Sequence, residues 1–155
     1  MKKISLKKLH KLYIKETEEK TPIILHTTLL CNLPNAVIKA INLRTSKVHI
    51  TTRVLKHLYD SKPAEEYEFI LNHLISIVMY PNQIYENRDG KRGGYAFVKS
   101  IKKIDYFCSF EINSNTEEEK IEEMNFVVTA FRIRKKNYLK NYKLLWSWKD
   151  DNPSS

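Results

Sequence analysis

Residues 95–112 read YAFVKSIKKIDYFCSFEI, and this stretch decides the fold. Its two runs of aromatic and β-branched residues, Tyr95–Ile101 and Tyr106–Ile112, are typical of strands. The polar segment Lys102–Asp105 between them predicts a turn. Strands joined by so short a connection pair antiparallel, and the stretch therefore predicts part of an antiparallel meander.

Further strand-like runs lie on both sides of this hairpin. Gln83–Glu86 precedes it, with the glycine-rich segment Arg88–Gly94 as a hairpin loop, and Asn125–Ile133 follows it. A final strand is predicted to span Tyr138–Trp148. The segment Asn113–Glu123 carries five glutamates and one lysine, which indicates an exposed acidic loop or a short helix.

Helical patterns come before the strands. From Ala64 to about Val78, apolar residues repeat at helical spacing after the sequence Ser-Lys-Pro63. Thr51 is a suitable N-cap for a shorter helix that ends at Tyr59, and Lys47–Ile50 before it is predicted as a short strand. These patterns place two helices directly ahead of the meander.

The first part of the chain is less regular. Ile4–Lys20 mixes apolar residues with lysines and glutamates, which predicts an amphipathic opening helix that Thr21-Pro22 ends. Ile23–Leu30 is predicted as a strand. The segment Asn35–Leu43 fits either a short helix or another strand.

The order of the elements predicts an α+β fold, with N-terminal helices followed by an antiparallel sheet of about four strands. A length of 155 residues is typical of one domain. Within it we expect an N-terminal extension at 1–46 with a helical start, a main part at 47–149 and a tail at 150–155.

Composition narrows the class of protein. Apolar residues make up 42% of the chain and only 3 glycines occur, so the chain is expected to fold throughout. Cys31 and Cys108 have no neighbours at metal-ligand spacing, which predicts buried free thiols. No apolar run approaches the roughly 20 residues that span a bilayer. We expect a soluble, cytoplasmic protein without a membrane partner.

The charge favours a polyanionic partner. The net charge is +9, and residues 132–149 hold seven basic residues and no acidic one. Aromatic residues are interleaved with these cations, so Lys135, Tyr138 and Tyr142 are candidates for binding RNA through phosphate contact and base stacking. Alternatively, the aromatic residues form the core side of a terminal strand. Anionic membrane surfaces or an acidic protein would match the same charge.

Several catalytic classes lack their motifs. The sequence contains no phosphate-binding glycine loop, no nucleophile elbow and no cluster of acidic metal ligands, so neither a metal nor a cofactor is expected. Cleavage of RNA without metal requires a base, an acid and cations that stabilise phosphate charge. Arg53 and His57 are four residues apart on the predicted helix and could contact one phosphate together.

Four segments in order carry a family resemblance: VHITTRVLKHL at 48–58, IVMYPNQI at 77–84, YAFVK at 95–99 and FVVTAFR at 126–132. Their succession resembles the nuclease domains of the barnase, EndoU, colicin and RelE (BECR) group, particularly its phage-associated branch. The resemblance covers about two thirds of the chain, from Lys47 onward. It implies helices followed by a four-stranded antiparallel sheet, and RNA cleavage without metal.

The resemblance also implies roles for individual residues. His57 would be the general base or acid, Lys99 would stabilise the phosphate, and Thr129 with Arg132 would line the sheet side of the site. Arg53 would be an accessory phosphate contact. The chain departs from the pattern because no second histidine lies a few residues after His57, where the sequence reads YDSKP at 59–63.

The second proton-transfer residue is therefore open, and His49, Tyr80 and Tyr95 are candidates. The expected function is a metal-independent endoribonuclease that leaves a 2′,3′-cyclic phosphate, with RNA, tRNA included, as substrate. A toxin-like role with an acidic inhibitor or antitoxin is a further expectation. The alternatives are a non-catalytic RNA-binding or phage-associated accessory domain on the same scaffold, and a protein whose basic face docks an acidic protein.

Overall fold

The computed structural model describes residues 4–87, 94–117 and 120–148, with the backbone alone at 113–117 and 120–123. The elements in chain order are α1 (Leu6–Leu9), a π-helical turn (His10–Ile14), β1 (Thr27–Asn32), α2 (Asn35–Ile41), β2 (Lys47–Thr51), α3 (Thr52–Ser61), α4 (Ala64–Met79), β3 (Gln83–Glu86), β4 (Tyr95–Ile101), β5 (Ile104–Glu117), β6 (Lys120–Arg132) and β7 (Lys143–Ser147). The fold is α+β, as the order of the sequence patterns predicted.

The predicted meander is confirmed, since β3, β4, β5 and β6 pair antiparallel in succession. Its predicted size is wrong, because within the described residues the sheet has seven strands, in the order β1-β2-β6-β5-β4-β3-β7. The sheet is also mixed, because β2 pairs parallel with β6, Val48 opposite Asn125 and His49 opposite Phe126. This pairing joins segments nearly 80 residues apart, which local sequence patterns do not report.

The segment 1–46 contributes to the same sheet. Its strand β1 pairs antiparallel with β2, from Thr27 opposite Thr51 to Asn32 opposite Lys47. Helix α2 follows β1 directly, yet it contacts β7 at the other edge of the sheet. Because neighbouring strands twist relative to each other, seven strands can bring the two edges close to one short helix.

The helices cover one face of the sheet, called here the helical face. Large buried side chains from the helices, such as Leu55, Leu58 and Leu74, pack there against strand residues that include Phe97 and Phe110. The opposite, outer face carries a smaller apolar cluster under the turns at 135–142. Its members are Tyr85, Ala96, Val98, Phe107, Phe131, Ile133, Tyr138, Leu139 and Tyr142.

Helices α3 and α4 begin where the sequence predicted. The Thr51 hydroxyl accepts a hydrogen bond from the Val54 N–H at 3.3 Å, which confirms this residue as the N-cap. The α4 helix starts after Pro63 and carries Glu65 and Glu66 in its first turn, where carboxylates favour the helix dipole.

The predicted opening helix over Ile4–Lys20 is wrong. Helix α1 has four residues, and a π-helical turn follows, in which the Lys15 N–H donates to the His10 carbonyl at 2.8 Å. This i→i+5 bond allows Leu9 and Ile14, five residues apart, both to be fully buried. Beyond the turn, Glu16 and Lys20 adopt positive φ, which a continuing helix does not allow.

Other boundaries also differ from the prediction. The first strand is Thr27–Asn32 rather than Ile23–Leu30, and Asn35–Ile41 is a helix that ends at Asn42 in the left-handed region, with φ 54°. The acidic segment 113–123 is neither a loop nor a helix over most of its length. There the backbone register of β5 with β6 continues to Glu117 opposite Lys120. Strand pairing from the adjacent hairpin thus outweighs the charge of the segment.

The last predicted strand, Tyr138–Trp148, is shorter than expected. Residues 136–142 form turns, and only Lys143–Ser147 pairs, with β3. The predicted hairpin loop Arg88–Gly94 lies mostly outside the described residues, but Glu86 opposite Tyr95 confirms the hairpin itself. Cys31 and Cys108 are buried and are not joined in a disulfide, as predicted.

We expect the substitution Asn125→Ala to weaken the junction between β2 and β6. The buried Asn125 amide donates to the carbonyls of Thr45 at 3.0 Å and Lys47 at 3.1 Å. Two carbonyl acceptors then lose their donor at a buried position of β6, and the free energy of unfolding should fall by about 1–3 kcal/mol in urea titrations. The control Asn137→Ala, at an exposed turn, should change it little. Equal losses in both variants would contradict the structural role of Asn125.

Candidate functional site

A buried lysine organises the surface on which the candidate site lies. Lys56 on α3 is 6% exposed, and its ammonium donates to the Thr17 hydroxyl at 2.9 Å, the Glu18 carbonyl at 2.7 Å and the Asp60 carboxylate at 2.8 Å. These three acceptors match its three N–H donors. The bonds fasten residues 15–26, called here the N-terminal strap, to α3.

Asp60 holds the strap from a second direction. Its other carboxylate oxygen accepts from the Lys20 N–H at 3.0 Å. Burial raises the pKa of the Asp60 carboxyl, but the hydrogen bonds from Lys56 and Lys20 outweigh it, so that the pKa lies below its ordinary value. Asp60 is therefore a charged anchor of the strap and borders a cavity on each side of it.

The first cavity has a volume of about 710 Å³ and lies between the opening segment, α3 and α4. Its lining residues are Lys7, His10, Thr17, Glu19, Tyr59, Asp60, Lys62, Ala64, Tyr67, Glu68, Leu71 and Asn72. The rings of His10, Tyr59 and Tyr67 pack against each other there, with centroids 5.3–5.6 Å apart. The cavity is thus walled by aromatic rings and rimmed by charges of both signs.

The protonation state of this ring cluster follows from its contacts. Burial raises the pKa of Tyr67 far above its ordinary value, and burial followed by the charge of Lys15 lowers that of His10. Tyr67 is therefore a phenol and His10 a neutral imidazole at pH 7. Their 3.0 Å contact joins the Tyr67 hydroxyl to His10 Nδ1, so Tyr67 engages this ring nitrogen in either tautomer of His10.

The second cavity, of about 430 Å³, lies on the other side of Asp60. Arg53 and His57 line it from one face of α3, both exposed, as their spacing predicted. Lys20, Leu25 and other strap residues close it on the opposite side. Arg53 and Lys20 add positive charge here, while Asp60 is balanced by Lys56. This cavity suits an anion.

A basic cluster surrounds a third, shallow cavity of about 250 Å³ at the end of the sheet. Its members are Lys103, Arg132, Arg134, Lys135 and Lys136, and Asp105 is the acidic residue among the lining side chains. All five cations are exposed. The buried Glu66 pairs with Arg134 and accepts from the Arg132 N–H at 3.2 Å. The cluster therefore keeps an excess of positive charge.

The basic cluster and the two cavities are neighbours around the junction of α3 with α4. Glu66, which binds the cluster, immediately precedes Tyr67 of the first cavity on α4. Lys62 lines the first cavity while its ammonium lies 5.2 Å from the ring centroid of Phe131, the residue before Arg132. Asp60 borders both cavities. These shared and adjacent residues connect the three features into one surface.

The structure separates the residues that the resemblance implied for one site. Lys99 and Arg132 flank Tyr106 in one row on the helical face, and the Lys99 ammonium donates to the Tyr80 carbonyl at 2.7 Å. Burial lowers the pKa of Lys99. Thr129 pairs with Ser109 on the outer face. His57 lines the second cavity without any of these three.

The predicted RNA-binding residues are also divided. Arg53 lies in the second cavity and Lys135 in the basic cluster. Tyr138 and Tyr142 are half-buried in the apolar cluster of the outer face, where both rings meet Phe107 edge-on. They are core residues of that cluster, as the alternative interpretation held, although they lie in turns and not in a strand.

None of the candidates for the second proton transfer lines the second cavity. His49 is buried on β2 with its ring 5.7 Å from that of Phe126. Tyr80 is exposed at the end of α4, and Tyr95 packs on the helical core. The partner of His57 in any acid–base pair thus stays open.

Sequence reasoning missed His10, Tyr67, Lys56 and Asp60. The Lys56–Asp60 pair has helical i,i+4 spacing, so a search for such pairs could have found it. The contact between His10 and Tyr67 spans 57 residues of sequence, and no local pattern reports it.

Comparisons of the chain with models of known protein families, with curated proteins and with solved structures found no match. Within residues 4–87, 94–117 and 120–148, no helix is both long and apolar enough to cross a membrane. The same residues contain no group of three or more histidine, cysteine or acidic side chains that could hold a metal ion.

We expect Lys56→Met to loosen the N-terminal strap. Removing the ammonium leaves Asp60 without its charge partner and two further oxygens without a donor, which should lower the free energy of unfolding by about 3–5 kcal/mol. Urea titration measures the loss, and faster amide exchange at Lys20 would locate it in the strap. Lys11→Met, at an exposed site of the π-helical turn, is the matched control. An unchanged Lys56→Met protein would refute the anchoring role.

The pH dependence of stability should report His10. Because folding lowers its pKa below 6.5, the unfolded chain binds this proton more readily, and the free energy of unfolding should fall as the pH drops below about 6.5. Asp60 acts in a lower range, since its stabilisation is lost only below pH 3.8. His10→Gln should flatten the first decline. An NMR titration midpoint for His10 at or above 6.5 would contradict the assignment.

Proposed function

We propose that this protein binds single-stranded or looped RNA across the surface formed by the basic cluster and the two cavities. The observation that carries the proposal is the basic cluster. It places five exposed cations around one shallow cavity that has a single acidic lining residue. Cations that neutralise successive phosphates release counterions, and this release drives binding to nucleic acid.

The surface around the cluster fits a flexible strand better than a duplex. Cavities of about 710 Å³ and 430 Å³ lie beside the cations, and a strand with unpaired bases can enter them. Tyr138 and Tyr142 pack the turns that carry Lys135 onto the sheet. Their contribution to RNA binding is accordingly to hold these cations in place.

We further propose that the bound RNA is cleaved without metal at the second cavity. His57 removes the 2′-hydroxyl proton, the 2′-oxygen attacks the phosphorus, and the 5′-oxygen leaves as a 2′,3′-cyclic phosphate forms. Arg53 and Lys20 stabilise the charge on the phosphate oxygens. A proton from a second group or from water completes the leaving alcohol. The resemblance to BECR nucleases and the exposed Arg53–His57 pair support this step.

One observation favours binding without cleavage as the second candidate. Lys99, Thr129 and Arg132, which the resemblance assigns to the same site as His57, line neither of the two cavities at the strap. On this alternative the protein is an accessory RNA-binding module. In either case an acidic inhibitor or antitoxin protein would bind the basic cluster, which carries the opposite charge.

RNA binding should depend on salt through the basic cluster. The double substitution Lys135→Ala/Lys136→Ala removes two cations from an exposed turn. For a fluorescein-labelled oligoribonucleotide, it should reduce the slope of log affinity against log salt by about 1.4. Lys39→Ala, on an exposed position of α2 outside the surface, should leave the slope unchanged. An identical slope in all three proteins would refute the proposed binding surface.

Cleavage should depend on His57. The wild type, incubated with tRNA and single-stranded RNA in EDTA, should yield termini with 2′,3′-cyclic phosphate. His57→Gln should lower the rate by about 10²–10⁴-fold. His73→Gln, a change of the same type on α4, should cleave as the wild type does. Binding by the wild type without any new termini would exclude the ribonuclease proposal and favour the accessory module.

A further inference from the structure

We propose that the first cavity is a binding site for one unpaired nucleobase, held between the rings of its wall and the polar side chains of its rim. The proposal deepens the proposed RNA binding and rests on it. The opening segment of the chain, which lies outside the family resemblance, would then help to recognise a base of the RNA.

The size and walls of the cavity suit a flat ligand. A volume of about 710 Å³ lies within the range of small-molecule sites and exceeds what one base requires, which leaves room for its ribose. Tyr59 is half-buried and lines the cavity, while the buried Tyr67 supports it in an edge-on contact, with ring centroids 5.3 Å apart. The Tyr59 ring is also held by His10, with centroids 5.6 Å apart, and by the Lys56 ammonium 5.4 Å from its centroid. A half-buried ring held in this way at a cavity wall can stack on a base.

The polar groups of the cavity match the edge of a base. His10 lines the cavity with its Nδ1 engaged by the Tyr67 hydroxyl, so Nε2 is the ring nitrogen that can bond to a base. The Asn72 side-chain amide supplies a donor and an acceptor, and the Glu68 carboxylate supplies acceptors. Base edges present alternating donors and acceptors, which such a set can pair with.

The charge of the first cavity sets it apart from its neighbours. The cations Lys7 and Lys62 are offset by the acids Glu19 and Glu68, and Asp60 is engaged by Lys56. The basic cluster on one side and the Arg53–His57 cavity on the other carry a positive excess. A strand whose phosphates lie on the two positive regions would place a neutral part, a base, over the balanced region between them.

The test uses the uncharged nucleosides adenosine, guanosine, cytidine and uridine with the full-length protein. In imidazole NMR spectra, at least one nucleoside at millimolar concentration should shift the His10 signals, and the shift should saturate. Asn72→Ala, at an exposed position, should weaken that binding at least fivefold. Asn35→Ala, exposed on α2 and outside every cavity described, is the matched control. Absence of any saturable His10 shift with all four nucleosides would overturn the proposal.

A second measurement separates this proposal from the one on which it rests. Oligoribonucleotides should bind more tightly than the same strands made abasic, and Asn72→Ala should remove most of that difference. Salt-dependent binding that is equal for both strands would refute the base site and leave RNA binding intact. Nucleoside binding without any affinity for oligoribonucleotides would refute the proposed function alone.

Discussion

The candidate surface depends on one buried charge. The Lys56 ammonium exchanges its hydration for the Asp60 carboxylate, the Thr17 hydroxyl and the Glu18 carbonyl, so that all three of its N–H groups are satisfied. An ammonium left unpaired at that depth would cost several kcal/mol, and the strap is therefore tied to α3. Both cavities at the strap have walls that this attachment positions. The same contact that stabilises the N-terminal segment thus also shapes the site.

The sequence predicted those parts of the fold that depend on interactions between residues close together in the chain. Helices α3 and α4 and strands β3 and β4 followed from the capping Thr51, apolar periodicity and the hairpin pattern around 95–112, all of which act within a few residues. The parallel pairing of β2 with β6 depends on Asn125 bridging to the segment 45–47, which local periodicity does not encode. The predicted opening helix is too long. Leu9 and Ile14 are both buried by a π-helical turn, and the chain leaves the helical conformation at Lys15, where the extended strap begins.

The placement of the site residues could likewise be predicted only where local spacing was enough. Arg53 and His57 could be placed on one exposed helix face from their spacing alone, and the structure agrees. The roles implied for Thr129 and Lys99 required knowledge of which face each strand residue takes. Alternation sends Lys99 to the helical face, while Thr129, three residues before Arg132 on β6, lies on the outer face. Two strand residues that are an odd number of positions apart thus point to opposite faces and cannot share a site.

The turns that follow β6 explain how the positive charge becomes concentrated. In a strand, successive side chains point to opposite faces, so a run of cations would be divided between the helical and outer faces. Beyond Arg132 the chain instead leaves the ladder and enters turns that Tyr138 and Tyr142 anchor on the outer face. Arg134, Lys135 and Lys136 are consequently all exposed beside Lys103. Tyr138 and Tyr142 therefore contribute to the positive charge of the surface by packing. The turn conformation that they stabilise keeps the cations together, whereas a strand would have divided them between two faces.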